Sequence, residues 1–95
     1  MTDPTPVLTR TVRIPNRRGL HARAAAKLVT LAEQFPAEIE VARDGQVVSA
    51  RSIMGLMMLG AGCGATVELR AQDLGAEAAM TAIAALIEAG FHEPD

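Results

Sequence analysis

His21 carries the clearest chemical potential in this chain. It stands in the run Asn16-Arg17-Arg18-Gly19-Leu20-His21-Ala22-Arg23-Ala24-Ala25-Ala26-Lys27, where a loop gives way to helical spacing. A helix start leaves backbone N–H groups without intrahelical partners and bears the positive end of the helix dipole. An arginine two residues further on adds a forked donor that suits a dianion. Unprotonated imidazole is itself a nucleophile available near neutral pH. Together these give a nucleophile and an anion cradle in one turn of chain, with the N–H groups of Ala22 and Arg23 as the oxygen-facing donors, an arrangement that fits a phosphoryl group. The competing reading is that His21 is only a helix cap.

A second segment, Ser52-Ile53-Met54-Gly55-Leu56-Met57-Met58-Leu59-Gly60, is too apolar for a helix that buries one face. At helical spacing Leu56 and Leu59 share one side, while Ile53, Met54, Met57 and Met58 spread over the other, so one side is expected to be exposed. Flexible methionines suit the docking of differently shaped partners. Ser52 is an N-cap candidate for this helix.

Charge is distributed unevenly. Residues 4–32 carry Arg10, Arg13, Arg17, Arg18, Arg23 and Lys27 with no acid, whereas residues 33–95 hold ten acids against three arginines. A basic end around His21, with Arg17 and Lys27 as its docking cations, would attract phosphate or an acidic protein surface. Nucleic acid is disfavoured, because only Phe35 and Phe91 are available for stacking and there is no Trp or Tyr. His92 has no partner at ligand spacing, so no metal and no cofactor are expected. Cys63 is the sole cysteine, which fits a reducing compartment, and it reads as a small apolar filler. No apolar run approaches the ~18 residues of a membrane span, and the first residues lack a signal-peptide pattern, so a cytoplasmic location is expected.

The elements that must position these groups follow from periodicity. One domain over 8–91 is expected, with tails at 1–7 and 92–95. Val12 and Ile14 alternate with polar residues in a strand from Thr9 to Ile14 that ends at Pro15. Ala24/Ala25, Leu28, Leu31/Ala32 and Phe35 mark a helix that Pro36 stops. Ile39 and Val41 alternate with Glu38 and Glu40, and Asp44-Gly45 supplies a two-residue hairpin turn before Gln46 to Ala50. The apolar helix over 53–59 closes at Gly60, and Gly60 to Gly64 leads to a strand whose Val67, Leu69 and Ala71 face inward. Asp73 caps a last helix with the stripe Ala76, Ala79/Met80, Ile83 and Leu86/Ile87, ending at Gly90. The order is β-α-β-β-α-β-α. Alternating strands with three helices predict an α+β open-faced sandwich, its sheet wet on one side.

The word Gly19-Leu20-His21-Ala22-Arg23 after Asn16, followed by Ser52 to Gly60, resembles the HPr family of histidine phosphocarriers of the phosphoenolpyruvate-dependent phosphotransferase system, from about Thr9 to Gly90. The resemblance implies a four-stranded antiparallel sheet covered on one face by three helices. It implies phosphorylation of His21 at Nδ1 by enzyme I, with Arg23 steadying the phosphate, and transfer onward to an enzyme IIA-type acceptor. Ser52 matches the family's regulatory serine, the target of an HPr kinase/phosphorylase, and Ile53, Met54 and Met57 lie where partners dock. A monomeric carrier without turnover of its own is implied. Ala24 departs from the proline of many sugar-system members and looks more like nitrogen-related or regulatory branches. The alternative is a non-catalytic regulatory module that docks through the Ile53–Met57 helix and uses His21 only as a cap.

Overall fold

The computed structural model describes residues 8–72 and 75–94. Its elements are β1 (Leu8–Arg13), α1 (Ala22–Ala32), β2 (Glu40–Arg43), β3 (Gln46–Ser49), α2 (Ile53–Met58), β4 (Thr66–Ala71) and α3 (Ala76–Glu88), followed by a 3₁₀ turn over Gly90–His92. The strands form one sheet in the order β1-β4-β2-β3, every neighbouring pair antiparallel. The expected β-α-β-β-α-β-α open-faced sandwich is therefore the observed one. The terminal 3₁₀ turn is an addition to it.

Strand alternation sorts the side chains between two faces. Val12 lies opposite Val67 and Val41 opposite Leu69, and all four are buried on the helix-bearing face. Thr11 and Arg13 turn outward and are exposed. Leu28 from α1, Leu56 from α2 and Ile83 and Ile87 from α3 close the core from the other side. Each such side chain contributes about 1.5–3 kcal/mol by leaving water. At the hairpin, Asp44 and Gly45 adopt φ values of 50° and 83°, the pair of positive angles that a two-residue turn between twisted strands requires.

Differences from expectation lie at element ends. α1 stops at Ala32, and Phe35 packs against the core from the loop beyond it. Beyond it the chain tightens into turns, Gln34 N–H to Leu31 O at 3.0 Å and Phe35 N–H to Ala32 O at 3.2 Å, because the residue before Pro36 is steered out of the helical region. Strand β1 spans Leu8–Arg13, with Ile14 buried just past its end. α2 ends at Met58 with Leu59 as its C-cap, and Gly60 closes it at φ +62° as expected; Gly75 is the N-cap of α3, and the proposed cap Asp73 and the tail 1–7 lie outside the described residues. No helix among the described residues is long and apolar enough to cross a membrane.

Candidate functional site

His21 is held by a loop that is fastened on both sides. Pro15 to Leu20 connects β1 to α1 and runs beside the Ala61–Ala65 connection. Backbone bonds join them: Ile14 N–H to Ala65 O at 2.8 Å, Gly64 N–H to Ile14 O at 2.7 Å, and Leu20 N–H to Ala61 O at 2.9 Å. The approach is so close that a Cβ on Gly19 would lie 2.6 Å from Ala61 O and 2.7 Å from Gly62 Cα. Gly19 also has φ +66°, a conformation that other residues rarely adopt. Inside this loop Asn16 is 4% exposed, and its Nδ2 donates to Gly19 O at 2.8 Å.

The result is a fixed entry into α1. His21 is the N-cap, with extended backbone (φ −79°, ψ 178°), and its side chain makes no capping hydrogen bond. The first helical bond runs from Ala25 N–H to His21 O at 2.8 Å. The N–H groups of Ala22, Arg23 and Ala24 precede it and have no acceptor within the helix. The imidazole is thus a cap in backbone geometry only, and its nitrogens are available for other work. Among the described residues the first turn of α1 holds no acid that would compete for an anion.

One imidazole nitrogen is engaged from an unexpected direction. Nε2 meets Oε2 of Glu93, which arrives from the C-terminal segment. The other oxygen of that carboxylate, Oε1, accepts from Asn16 Nδ2 at 2.8 Å. The Asn16 amide, the His21 ring N–H and the nearby Arg18 guanidinium hold the Glu93 carboxyl below the usual range, outweighing the opposing effect of desolvation. Asn16 cannot be turned over: with its oxygen in place of Nδ2, two acceptors, Gly19 O and Glu93 Oε1, would face a third. Among the described residues its Oδ1 is buried without a partner.

The segment that delivers Glu93 is built for placement. Phe91 is fully buried although its backbone has φ +57°, and His92 follows at φ +58°. Two successive non-glycine residues in the left-handed region cost of order 1–2 kcal/mol each, which burial of the phenyl ring offsets. Lys27 Nζ donates to Phe91 O at 2.7 Å, so this ammonium fastens the tail instead of standing free as a docking cation. His92 is exposed.

Arg17, Arg18 and Arg23 surround an open hollow of about 320 Å³ that Glu93 and Pro94 complete. All three arginines are exposed, and the hollow lies beside the group paired with His21. Of the residues singled out in the sequence, His21, Arg17 and Arg23 are thus brought together. A larger apolar hollow of about 800 Å³ lies between α1 and α3, lined by Arg23, Leu31 and Leu86 among others, and it does not include His21.

Ser52 caps α2, its Oγ accepting from Gly55 N–H at 2.9 Å. Leu56 and Leu59 are buried, while Ile53, Met54, Met57 and Met58 are 41%, 73%, 45% and 71% exposed. The second helix therefore presents the apolar face anticipated for it. Cys63 corrects the sequence reading: it is exposed between two glycines at the surface, its Sγ 3.6 Å from Pro15 O, and fills no space in the core. No cluster of metal-ligating side chains occurs among the described residues. Sequence spacing pointed to neither Glu93 nor the fastening role of Lys27, because their partners are 72 and 64 residues away.

Comparison with known proteins agrees with this geometry. Residues 8–89 match the family described as the PTS HPr component phosphorylation site. A phosphocarrier protein NPr of Shewanella violacea is 48% identical over 86 residues, covering 90% of this chain and 94% of that one. A phosphocarrier protein HPr of Cupriavidus necator is 47% identical over 87 residues, covering 92% and 98% respectively. Among solved structures, HPr from Thermoanaerobacter tengcongensis superposes with a TM-score of 0.86 at 42% identity, covering 93% of this chain and 99% of that one. A nucleophile at a fastened helix start, arginines around it and relatives of nearly the same length thus lead to one conclusion: the chain belongs to the HPr family, the phosphocarriers of the phosphotransferase system.

Proposed function

We propose that the chain accepts a phosphoryl group on Nδ1 of His21 from enzyme I and passes it to an enzyme IIA-type acceptor. The observation that carries this reading is an N-cap histidine whose side chain caps nothing and has its Nε2 already engaged, so that the other nitrogen is the one left for attack. The Nδ1 lone pair forms a bond to phosphorus while the bond to the donor breaks and its electron pair stays with the donor. The N–H groups of Ala22 and Arg23, and the Arg23 guanidinium, receive the oxygens of the transferred group. Binding must stay moderate, since a carrier that holds phosphate too well becomes a sink. The protein is thus a substrate of other enzymes and turns nothing over by itself.

The exposed face of α2, Ile53, Met54 and Met57, is proposed as the docking surface, and Arg17, which lines the hollow beside Glu93, is proposed as a basic contact for an acidic partner. Ser52, at the start of that helix, is proposed as a regulatory site for an HPr kinase/phosphorylase. A phosphate there adds about −1.5 to −2 charge beside the methionines and sets repulsion against an acidic partner. Incubation with phosphoenolpyruvate and enzyme I tests the reading. Acid-labile phosphate should enter the wild type and not His21→Ala, and Arg23→Ala should be labelled more slowly. Labelling of His21→Ala at the wild-type level would overturn the assignment.

A further inference from the structure

We propose that Glu93 is a positioning residue for His21, its carboxylate aimed by Asn16 so that it accepts from Nε2–H and leaves Nδ1 as the bare nitrogen. The inference rests on the phosphocarrier reading and deepens it. Three observations carry it. The carboxylate meets Nε2 and no other nitrogen of the ring. Its second oxygen is taken by Asn16 Nδ2, whose other proton goes to Gly19 O, so the carboxylate plane is fixed from the loop that also fixes His21. The segment bearing Glu93 accepts left-handed backbone at Phe91 and His92, buries Phe91 completely and engages Lys27. A tail that merely ended the chain would have no need of that arrangement.

The chemistry follows from where the proton is held. A carboxylate is an acceptor only, so its partner nitrogen must carry the hydrogen, and in neutral imidazole the other nitrogen then keeps its lone pair. When Nδ1 attacks phosphorus, the ring retains Nε2–H and becomes cationic. Glu93 stands beside that nitrogen with the opposite charge. As the phosphoryl group leaves for the next acceptor, the N–P electron pair returns to Nδ1 and the ring is neutral again. No proton need move in either direction. The carboxylate touches neither the phosphoryl group nor the donor; it acts through the ring, as the buried acid does behind the histidine of a serine hydrolase.

Asn16 makes the idea testable by a near-isosteric change. In Glu93→Gln the side-chain carbonyl keeps the Asn16 donor, so the amide NH₂ faces Nε2 and donates to it. That favours the Nδ1–H tautomer and covers the nucleophile, whereas Glu93→Ala removes the bias without reversing it. The experiment reads the ring-nitrogen shifts of His21 by NMR in the unphosphorylated protein, then the rate of phosphate acceptance from enzyme I and phosphoenolpyruvate, with circular dichroism as the check on folding. Expected are an Nε2–H ring in the wild type, a shift toward Nδ1–H in Glu93→Gln with acceptance slowed by about tenfold or more, and a smaller effect in Glu93→Ala. Ring-nitrogen shifts that are the same in all three proteins would overturn the proposal. The spectrum needs no donor, so it stands apart from the carrier reading, which fails instead if the wild type takes no phosphate on His21.

Discussion

Replacing Gly19 by alanine tests whether His21 is held by the close approach of two loops. Alanine at φ +66° pays about 1–2 kcal/mol for left-handed backbone. Its Cβ would then stand 2.6 Å from Ala61 O and 2.7 Å from Gly62 Cα, both backbone atoms that cannot rotate aside. The loops must part, which costs at least the Leu20 N–H to Ala61 O bond, about 0.5–1.5 kcal/mol. The sum is about 1.5–3.5 kcal/mol before any loosening of Leu20. For a domain of this size, that lowers Tm by at least about 6 °C. Two neighbours separate the contributions. Gly60 has φ +62° but open space where a Cβ would go, so Gly60→Ala pays the conformational part alone. Gly62 has neither constraint, and Gly62→Ala should be neutral or gain about 0.4–1 kcal/mol by stiffening the unfolded chain. Thermal and urea unfolding should rank stability as Gly62→Ala, then Gly60→Ala, then Gly19→Ala, and only the last should also slow phosphate acceptance by His21. A Gly19→Ala protein as stable as Gly60→Ala would refute the reasoning, because the steric contact would then be worth nothing.

Ser52→Ala should cost about 0.5–2 kcal/mol in urea unfolding through loss of the cap to Gly55 N–H, while Ser52→Asp, which can still accept that bond, keeps most of the stability and slows phosphorylation of His21 by enzyme I. Met54→Lys should leave stability within about 0.5 kcal/mol, since the side chain is 73% exposed, yet weaken enzyme I binding by titration calorimetry; a large fall in Tm would make Met54 part of the core. The Glu93 carboxyl is held below its ordinary 4.5, so the stability it lends is complete above that pH and is lost as pH falls through its lowered folded value. Amide exchange and shifts of residues 90–93, followed by NMR down through the acid range, should show the tail loosening in the wild type and no such transition in Glu93→Gln.

What the sequence made legible was local. The pairing of Val12 with Val67 and Val41 with Leu69 lies behind simple alternation, and the burial of Leu56 and Leu59 against the exposure of Met54 and Met58 follows from helical spacing. His21 could be placed at a helix start because the Gly19–Arg23 run and the apolar stripe after it are contiguous. The tail was hidden for the opposite reason. Glu93 reaches His21 only because Phe91 is buried in a backbone conformation that no propensity favours for phenylalanine, a tertiary choice that outweighs the local one. Lys27 looked like a surface cation because nothing near it in sequence reveals Phe91 O. Cys63 misled in the same way: residue type suggested burial, and the Gly62–Gly64 turn put it outside.

The central claim is that His21 carries phosphate on Nδ1. Phosphorus NMR of the protein phosphorylated by enzyme I and phosphoenolpyruvate, with the histidine ring nitrogens isotope-labelled, reads that bond directly. One phosphoramidate signal is expected, labile to acid and stable to base, coupled to Nδ1 of His21. Coupling to Nε2, a signal belonging to His92, or an acid-stable phosphate ester in its place would contradict it.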